Sequence, residues 1–321
     1  MARDGAPRLL TAGELLVEFV AGDRGTHHRR VAPYLGPYPS GAPAIFIDQA
    51  ARVGADAAII GSVGGDAFGR VILDRLAADG VDCSLVEHCP SETTGVAFVA
   101  YNNDGSREFI FHFPRSAATA FSASPRVHAA IADHVPDYFH VSGSILGVEG
   151  VADQVMAIVR AVVAAGGAIS LDPNVRPELL RSLESRRRFE ELLALARVLF
   201  PSEEDIAALR PGMPMEEAIE AFIAAGVEAV VLTRGDAGCL YRDVAQRHEL
   251  PAFDVDCIDP TGAGDCFSAT FLTLFAQGWP AERALRYANA AGANAVTISG
   301  PMEGNSSLTG LEQRLNQQEP S

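Results

Sequence analysis

Apolar positions along the chain fall into two rhythms that alternate. From residue 137 onward, short apolar runs at 138–142, 168–171, 198–200 and 229–232 are separated by stretches of helical period at 151–165, 185–196 and 215–225. That succession predicts a parallel sheet covered by helices on both faces. The first half begins in the same way, with a strand over 8–20, in which Gly13 to Phe19 alternates apolar and acidic positions. A helix over 42–53 stopped by Gly54, a short buried strand over 57–60 and a helix over 68–78 ended by Gly80 follow. One stretch breaks the rhythm. Residues 94–101 and 107–113 are β-rich and joined by Asn102-Asn103-Asp104-Gly105-Ser106, a hairpin signal. A hairpin standing apart from a parallel sheet suits a lid that keeps water from a reaction. Residues 22–39, rich in Gly, Pro, Arg and His, read as a strand-poor excursion belonging to the same lid. The expectation is a single α/β domain over 1–321, with a mostly parallel central sheet and lid segments near 14–39 and 93–113.

Composition narrows the partners. The 321 residues carry a net charge of −16 with 48% hydrophobic content, which fits a soluble globular protein and disfavours nucleic acid or anionic membrane as main partners. All 25 basic residues are arginine. Without lysine there is no Walker-type phosphate loop and no Schiff-base chemistry, so phosphate would be held by backbone amides, arginine and metal. Five scattered cysteines form no C-x-x-C pair, which points to reduced thiols. No leader and no bilayer-length apolar run is evident, so the chain reads as cytoplasmic.

The chemistry concentrates at Asp259-Pro260-Thr261-Gly262-Ala263-Gly264-Asp265, which runs directly into Cys266-Phe267-Ser268-Ala269. Two glycines around one alanine, then helix formers, describe a tight loop opening a helix whose first amides point outward and can bind an anion. A carboxylate at that place has two readings. Asp265 either complements the helix dipole or acts as a base toward a hydroxyl attacking a phosphate, and the two glycines with Thr261 favour the second.

This motif resembles the D-T-x-G-A-G-D signature of the ribokinase-like (PfkB) sugar kinases. The resemblance implies a ribokinase-like three-layer fold with a small β lid and ATP-dependent phosphorylation of a sugar. Gly262, Ala263 and Gly264 would form the anion hole and Asp265 would be the base. Other segments match in order from Gly13 to Gly304. Glu18 stands where the family's opening strand ends in a sugar-binding acid. Ser40-Gly41-Ala42-Pro43 is similar to the family's G-G-x-P segment, which implies sugar contact at Gly41 and Ala42, although Ile45 replaces the usual Asn. One turn beyond, Asp48 reads as a surface acid. Gly61 to Gly69 resembles a loop near substrate, with Asp66 as a helix cap. The lid strand would carry Arg107 to the sugar. Asp172, Asn174 and Arg176, at alternate-residue spacing, would face the cleft together.

On the nucleotide side the resemblance implies Ser202, Thr233, Gly235, Gly238, Gly262, Gly264 and Asn289, with Asp205 and Asp259 toward metal. Capping by Ser202 is the competing account of that residue. The cofactors implied are ATP and magnesium, with potassium as a further candidate, and the partners are a small sugar and a second copy joined through the lid. The wording around 37–49 looks like the ketohexose kinases, tagatose in particular. A 2-keto-3-deoxygluconate kinase is the alternative, Arg107 with Arg176 serving the substrate's carboxylate. A sugar sensor without catalysis is the non-enzyme alternative, and a dehydrogenase is disfavoured because no G-x-G-x-x-G follows an early strand.

Overall fold

The computed structural model describes residues 5–104, 106–148, 150–175 and 182–318. Among these residues thirteen strands build two sheets. The large sheet has nine strands in the order β13-β12-β11-β10-β9-β8-β1-β4-β5. These are β1 (Arg8–Ala12), β4 (Asp56–Gly64), β5 (Val86–Cys89), β8 (Tyr138–Ser142), β9 (Ala168–Asp172), β10 (Ala196–Leu199), β11 (Ala229–Thr233), β12 (Cys239–Arg242) and β13 (Arg247–Leu250). All neighbours are parallel except β11/β12 and β12/β13. Chain order reverses at β1, and clefts in such sheets open at that switch, beyond the strands' carboxyl ends.

Strands buried on both faces give a three-layer molecule. Leu9, Ile59, Val198 and Val231 face one apolar layer, shared with α1 (Ala42–Arg52), α2 (Ala67–Ala78), α8 (Ala263–Ala276), α9 (Ala281–Ala295) and α10 (Leu308–Gln318). Their neighbours Leu10, Ala58, Ile60, Leu199 and Val230 face the other, with α3 (Pro125–Asp133), α4 (Val151–Ala165), α5 (Leu183–Leu195), α6 (Glu203–Leu209) and α7 (Met215–Ala224). The period-2 alternation thus appears as two filled cores rather than one wet and one dry face. His140 lies inside as well, stacked on Phe46 at 3.7 Å and bonded through Nδ1 to Ser170 Oγ at 3.1 Å. Burial pushes its pKa down to about 3, so the ring is neutral.

The second sheet is the lid, in the order β3-β2-β6-β7, made of β2 (Leu16–Ala21), β3 (Tyr34–Ser40), β6 (Gly95–Tyr101) and β7 (Arg107–Phe111). Several boundaries differ from expectation. The stretch 8–20 is two strands in two sheets, because the chain turns at Gly13, whose N–H bonds Ile60 O, and crosses over β4. Gly61 permits that crossing: a Cβ there would stand 2.9 Å from Leu15 Cδ1 and 3.1 Å from Gly13 O. The glycines of 61–64 therefore extend β4 rather than forming a loop. The excursion 22–39 also holds a strand, β3, whose Pro37 and Pro39 are tolerated because β3 is an edge. The 94–113 hairpin is present as read.

Candidate active site

A cleft of about 720 Å³ lies between the lid and the carboxyl ends of the large sheet's strands. Its rim is supplied by the segments following β1, β8, β9, β10 and β11, by the start of α1 and by the start of α8.

Helix α8 enters at the cleft through Gly262, whose φ of +81° only glycine adopts easily; a Cβ there would fall 2.5 Å from Pro301 O. No side chain caps the helix. Its opening amides therefore remain available to an anion. Gly264 is exposed, and a Cβ on it would meet nothing within 4 Å, so the space above it belongs to the cleft. The loop is fastened from beneath by Asp259, 1% exposed. Its Oδ1 accepts Thr261 N–H at 2.9 Å and the Tyr101 hydroxyl, and its Oδ2 accepts Gly300 N–H at 3.0 Å. Behind it α8 is buried from Cys266 to Leu274 and packs against α1 and α9, which fixes the direction of its first turn.

Asp265 projects from that first turn into the cleft. Burial, and next the charge of Glu14, push its carboxyl up to about 7. A carboxyl of that pKa is suited to exchange a proton near neutrality. Cys266 beside it is wholly buried, with its thiol donating to Asn305 Oδ1 at 3.0 Å, and takes no part in the cleft.

The sugar-facing residues expected from the sequence converge, with one outside the described residues. Gly41 and Ala42 open α1 on the cleft wall; at Gly41 φ is +112° and a Cβ would meet Glu14 O at 2.3 Å. Glu18, 3% exposed, turns inward from β2. Burial and then the charge of Asp259 push it up to about 7, against the opposing pull of the Ser40 hydroxyl and Arg107. Its Oε2 accepts from Ser40 Oγ at 3.4 Å, while Oε1 is buried with no partner, as a group awaiting a ligand hydroxyl would be. Arg107 reaches across from the lid to donate to Thr261 Oγ1 at 3.0 Å, joining lid and anion loop.

Asp172 and Asn174 both line the cleft, but not by strand alternation. Asn174 lies beyond β9 at a φ of +38°, its N–H bonded to Asp172 Oδ1 at 3.0 Å and its side chain to Ser142 Oγ at 3.3 Å. Arg176 lies outside the described residues.

The nucleotide and metal residues divide. Ser202 and Thr233 reach the cleft. Ser202 and Asp205 form a capping box on α6, and Asp205 Oδ1 also accepts Val175 N–H at 2.6 Å. Asp205 and Asp259 each accept protein N–H groups, and of the two only Asp205 lines the cleft. No group of three or more His, Cys, Asp or Glu among the described residues is placed to hold a metal ion. Gly235 and Gly238 shape the turn from β11 to β12. A Cβ at Gly238 would stand 2.0 Å from Leu250 O, which explains that glycine without a ligand. Asn289 bonds Pro251 O at 2.8 Å; neither it nor these two glycines line the cleft. Asp48 is no surface acid. It is buried, accepts from Asn305 Nδ2 at 2.6 Å and pairs with Arg52 at 3.2 Å.

Sequence reasoning passed over Glu14, Ser144, Glu204 and the lid phenylalanines Phe109, Phe111 and Phe113, all on the cleft. The phenylalanines carried a signal, since residues two apart on a strand share a face.

Comparison with known proteins identifies the family. Residues 8–308 match the family described as pfkB family carbohydrate kinase. Fructokinase-2 of Zea mays is 30% identical over 306 residues, covering 91% of this chain and 89% of its own. An E. coli protein provisionally named ribokinase II, solved free and with ATP and magnesium, is 41% identical. In its free form it superposes with a TM-score of 0.93 over 97% of this chain and 99% of its own. Fructokinase from Vibrio cholerae O395, solved with fructose, ADP and calcium, is 26% identical with a TM-score of 0.80, covering 97% of this chain and 99% of its own. With the match running through both the anion loop and the lid, the chain belongs to the pfkB family of carbohydrate kinases and is an ATP-dependent sugar kinase.

Proposed function

We propose that the protein transfers the terminal phosphoryl group of ATP to a primary hydroxyl of a neutral ketohexose of the fructose or tagatose type. The observation that carries this is Asp265, set in the first turn of α8 beside uncapped amides and within the same cleft as Glu18. A sugar hydroxyl placed between Asp265 and the anion loop would lose its proton to the carboxylate as its oxygen attacks phosphorus. The amides of Gly262, Ala263 and Gly264 would receive the charge gathering on the transferred oxygens. Glu18 Oε1, Asp172 and Asn174 would orient the remaining hydroxyls, and Arg107 would hold the lid shut through Thr261.

A neutral acceptor is favoured over 2-keto-3-deoxygluconate. Glu14, Glu18, Asp172, Glu204, Asp205 and Asp265 line the cleft against one guanidinium, Arg107, among the described residues. A substrate carboxylate would be repelled by such a lining.

The cofactor proposed is magnesium. Bound with the nucleotide, it would supply charge neutralisation to the phosphates. The ion would be held chiefly by the nucleotide and water, with Glu204 and Asp205 on the cleft as the nearby carboxylate oxygens. Potassium, present with a double mutant of the Vibrio cholerae fructokinase, is a further proposed ion. Pairing of two copies through the lid belongs to the same proposal. No helix among the described residues is long and apolar enough to cross a membrane.

Magnesium-dependent ADP release measured with tagatose, fructose, 2-keto-3-deoxygluconate and ribose tests the proposal. Turnover greatest on a ketohexose is expected; turnover confined to the keto acid would overturn it.

A further inference from the structure

We infer that Ser144 is a sugar-recognition residue whose hydroxyl donates a hydrogen bond to the ring oxygen of a ketohexose bound in its closed form. This inference rests on the sugar-kinase reading and narrows it to the cyclic form of the acceptor.

Counting hydroxyl hydrogens around the cleft singles Ser144 out. Among the described residues the hydroxyl side chains on the cleft are Ser40, Ser144, Ser202, Thr233, Thr261 and Ser268. Four of these donate within the protein: Ser40 to Glu18 Oε2 at 3.4 Å, Ser202 to Asp205 Oδ2 at 2.8 Å, Thr233 to Pro201 O at 3.5 Å and Ser268 to Gly264 O. Thr261 belongs to the anion loop, where it accepts from Arg107. That leaves Ser144, on the wall opposite the lid.

The residues behind Ser144 decide which way its hydrogen goes. Asn174 Nδ2 donates to Ser142 Oγ at 3.3 Å, and Ser142 Oγ stands 3.1 Å from Ser144 Oγ. Ser142 is 2% exposed, so its own hydrogen needs a protein acceptor, and Ser144 Oγ is the one in place. Were Ser144 the donor, Ser142 would accept twice and its hydrogen would be buried unmet. The order is therefore Asn174 to Ser142 to Ser144, and the last hydrogen is left for a ligand. Close packing holds the two turns together: a Cβ at Gly143 would stand 2.1 Å from Pro173 O.

Sheet order puts this donor at the sugar end. Ser144 follows β8, which lies beside β1 and hence near Glu14, whereas Thr233 ends β11, three strands away. At strand spacing that separation is about 14 Å. The sugar's hydroxyls can donate to the carboxylates of Glu18, Asp172 and Asp265, but its ring oxygen carries no hydrogen and can only accept. A hydroxyl whose own hydrogen is unused meets that need.

The rival acceptor is the carbonyl of an open-chain ketose, and three compounds separate the two. These are fructose, 2,5-anhydromannitol, which keeps the ring oxygen and cannot open, and the carbocyclic analogue of fructofuranose, in which a methylene replaces that oxygen. KM and kcat are measured for each in the wild type, Ser144→Ala and Ser144→Thr. Ser144→Ala is expected to raise KM for fructose and anhydromannitol about five- to tenfold, the scale of one neutral hydrogen bond, with kcat within about threefold. On the carbocyclic analogue the same substitution should change KM by less than about twofold, since the bond is already missing. Ser144→Thr keeps the hydroxyl and should recover most of the loss. Equal losses on all three compounds would overturn the assignment, and so would a loss on fructose with none on anhydromannitol. Equilibrium binding of the same compounds reads the same ratios without turnover. The expected ratios in binding with no ADP release would therefore contradict the kinase chemistry while supporting the role of Ser144.

Discussion

The pH dependence of turnover should report Asp265 directly. Its carboxyl is raised from 3.8 to about 7, chiefly by burial and secondarily by the charge of Glu14. A shift of that size corresponds to about 4 kcal/mol against the ionised form in the empty cleft. The base acts when deprotonated, so activity must fall as pH drops through about 7. At pH 6 about a tenth of the molecules are competent, and each further unit costs about tenfold. The assay is kcat/KM for the sugar between pH 5.5 and 8.5 in constant ionic strength. Glu18 is also pushed up to about 7, so variants are needed to separate the two acids. Glu14→Gln removes a negative neighbour of Asp265 and should move the inflection to lower pH; Glu18→Gln should weaken sugar binding and leave the inflection near its place. A flat profile, or an inflection that follows Glu18→Gln and ignores Glu14→Gln, would refute the assignment of the base.

Other consequences can be checked with single substitutions. Gly264→Ala should leave the melting temperature unchanged or slightly raised, since a Cβ there meets nothing and a helical alanine is favoured by about 0.5–1 kcal/mol, yet should cut ADP release by occupying phosphate space. Gly262→Ala should lower both melting temperature and turnover, its Cβ falling 2.5 Å from Pro301 O at a positive φ. Arg107→Ala breaks the bond from lid to anion loop and should raise KM for the sugar by about tenfold with a smaller change in kcat. The melting temperature of the ligand-free protein should carry a contribution from Asp48, Glu18 and Asp265, each raised to about 7. Their folded pKa exceeds the unfolded one, so this contribution is complete below about pH 4 and is lost as pH rises through about 7. Asp48→Asn should flatten the fall between about pH 4 and 7 in a thermal scan, whatever it does to the absolute value.

What the chain disclosed in advance was local. The anion loop and Asp265 lie within four residues of one another, and the geometry of a glycine turn entering a helix follows from those residues alone. The βα succession and the hairpin were equally readable, being matters of period and turn chemistry. What stayed hidden depends on partners distant in sequence. That Asp259 fastens the anion loop could not be read locally, because its partners Tyr101, 158 positions earlier, and Gly300 are distant in sequence. Asp205 likewise accepts from Val175, thirty positions away. Local strain misled as well. Asn174 leaves strand geometry through a positive φ that spacing does not reveal, and prolines masked β3 because only its place at the lid's edge makes them harmless.

The central claim, that Asp265 takes the proton from the attacking hydroxyl beside the α8 anion loop, is tested most directly by Asp265→Asn. The variant keeps the size of the side chain and removes its basicity. Magnesium-dependent ADP release should fall by about a thousandfold or more while ATP binding persists, within the range expected for loss of a general base. Turnover within about threefold of the wild type would contradict the claim, because a rate that survives without the carboxylate owes nothing to proton transfer at that position.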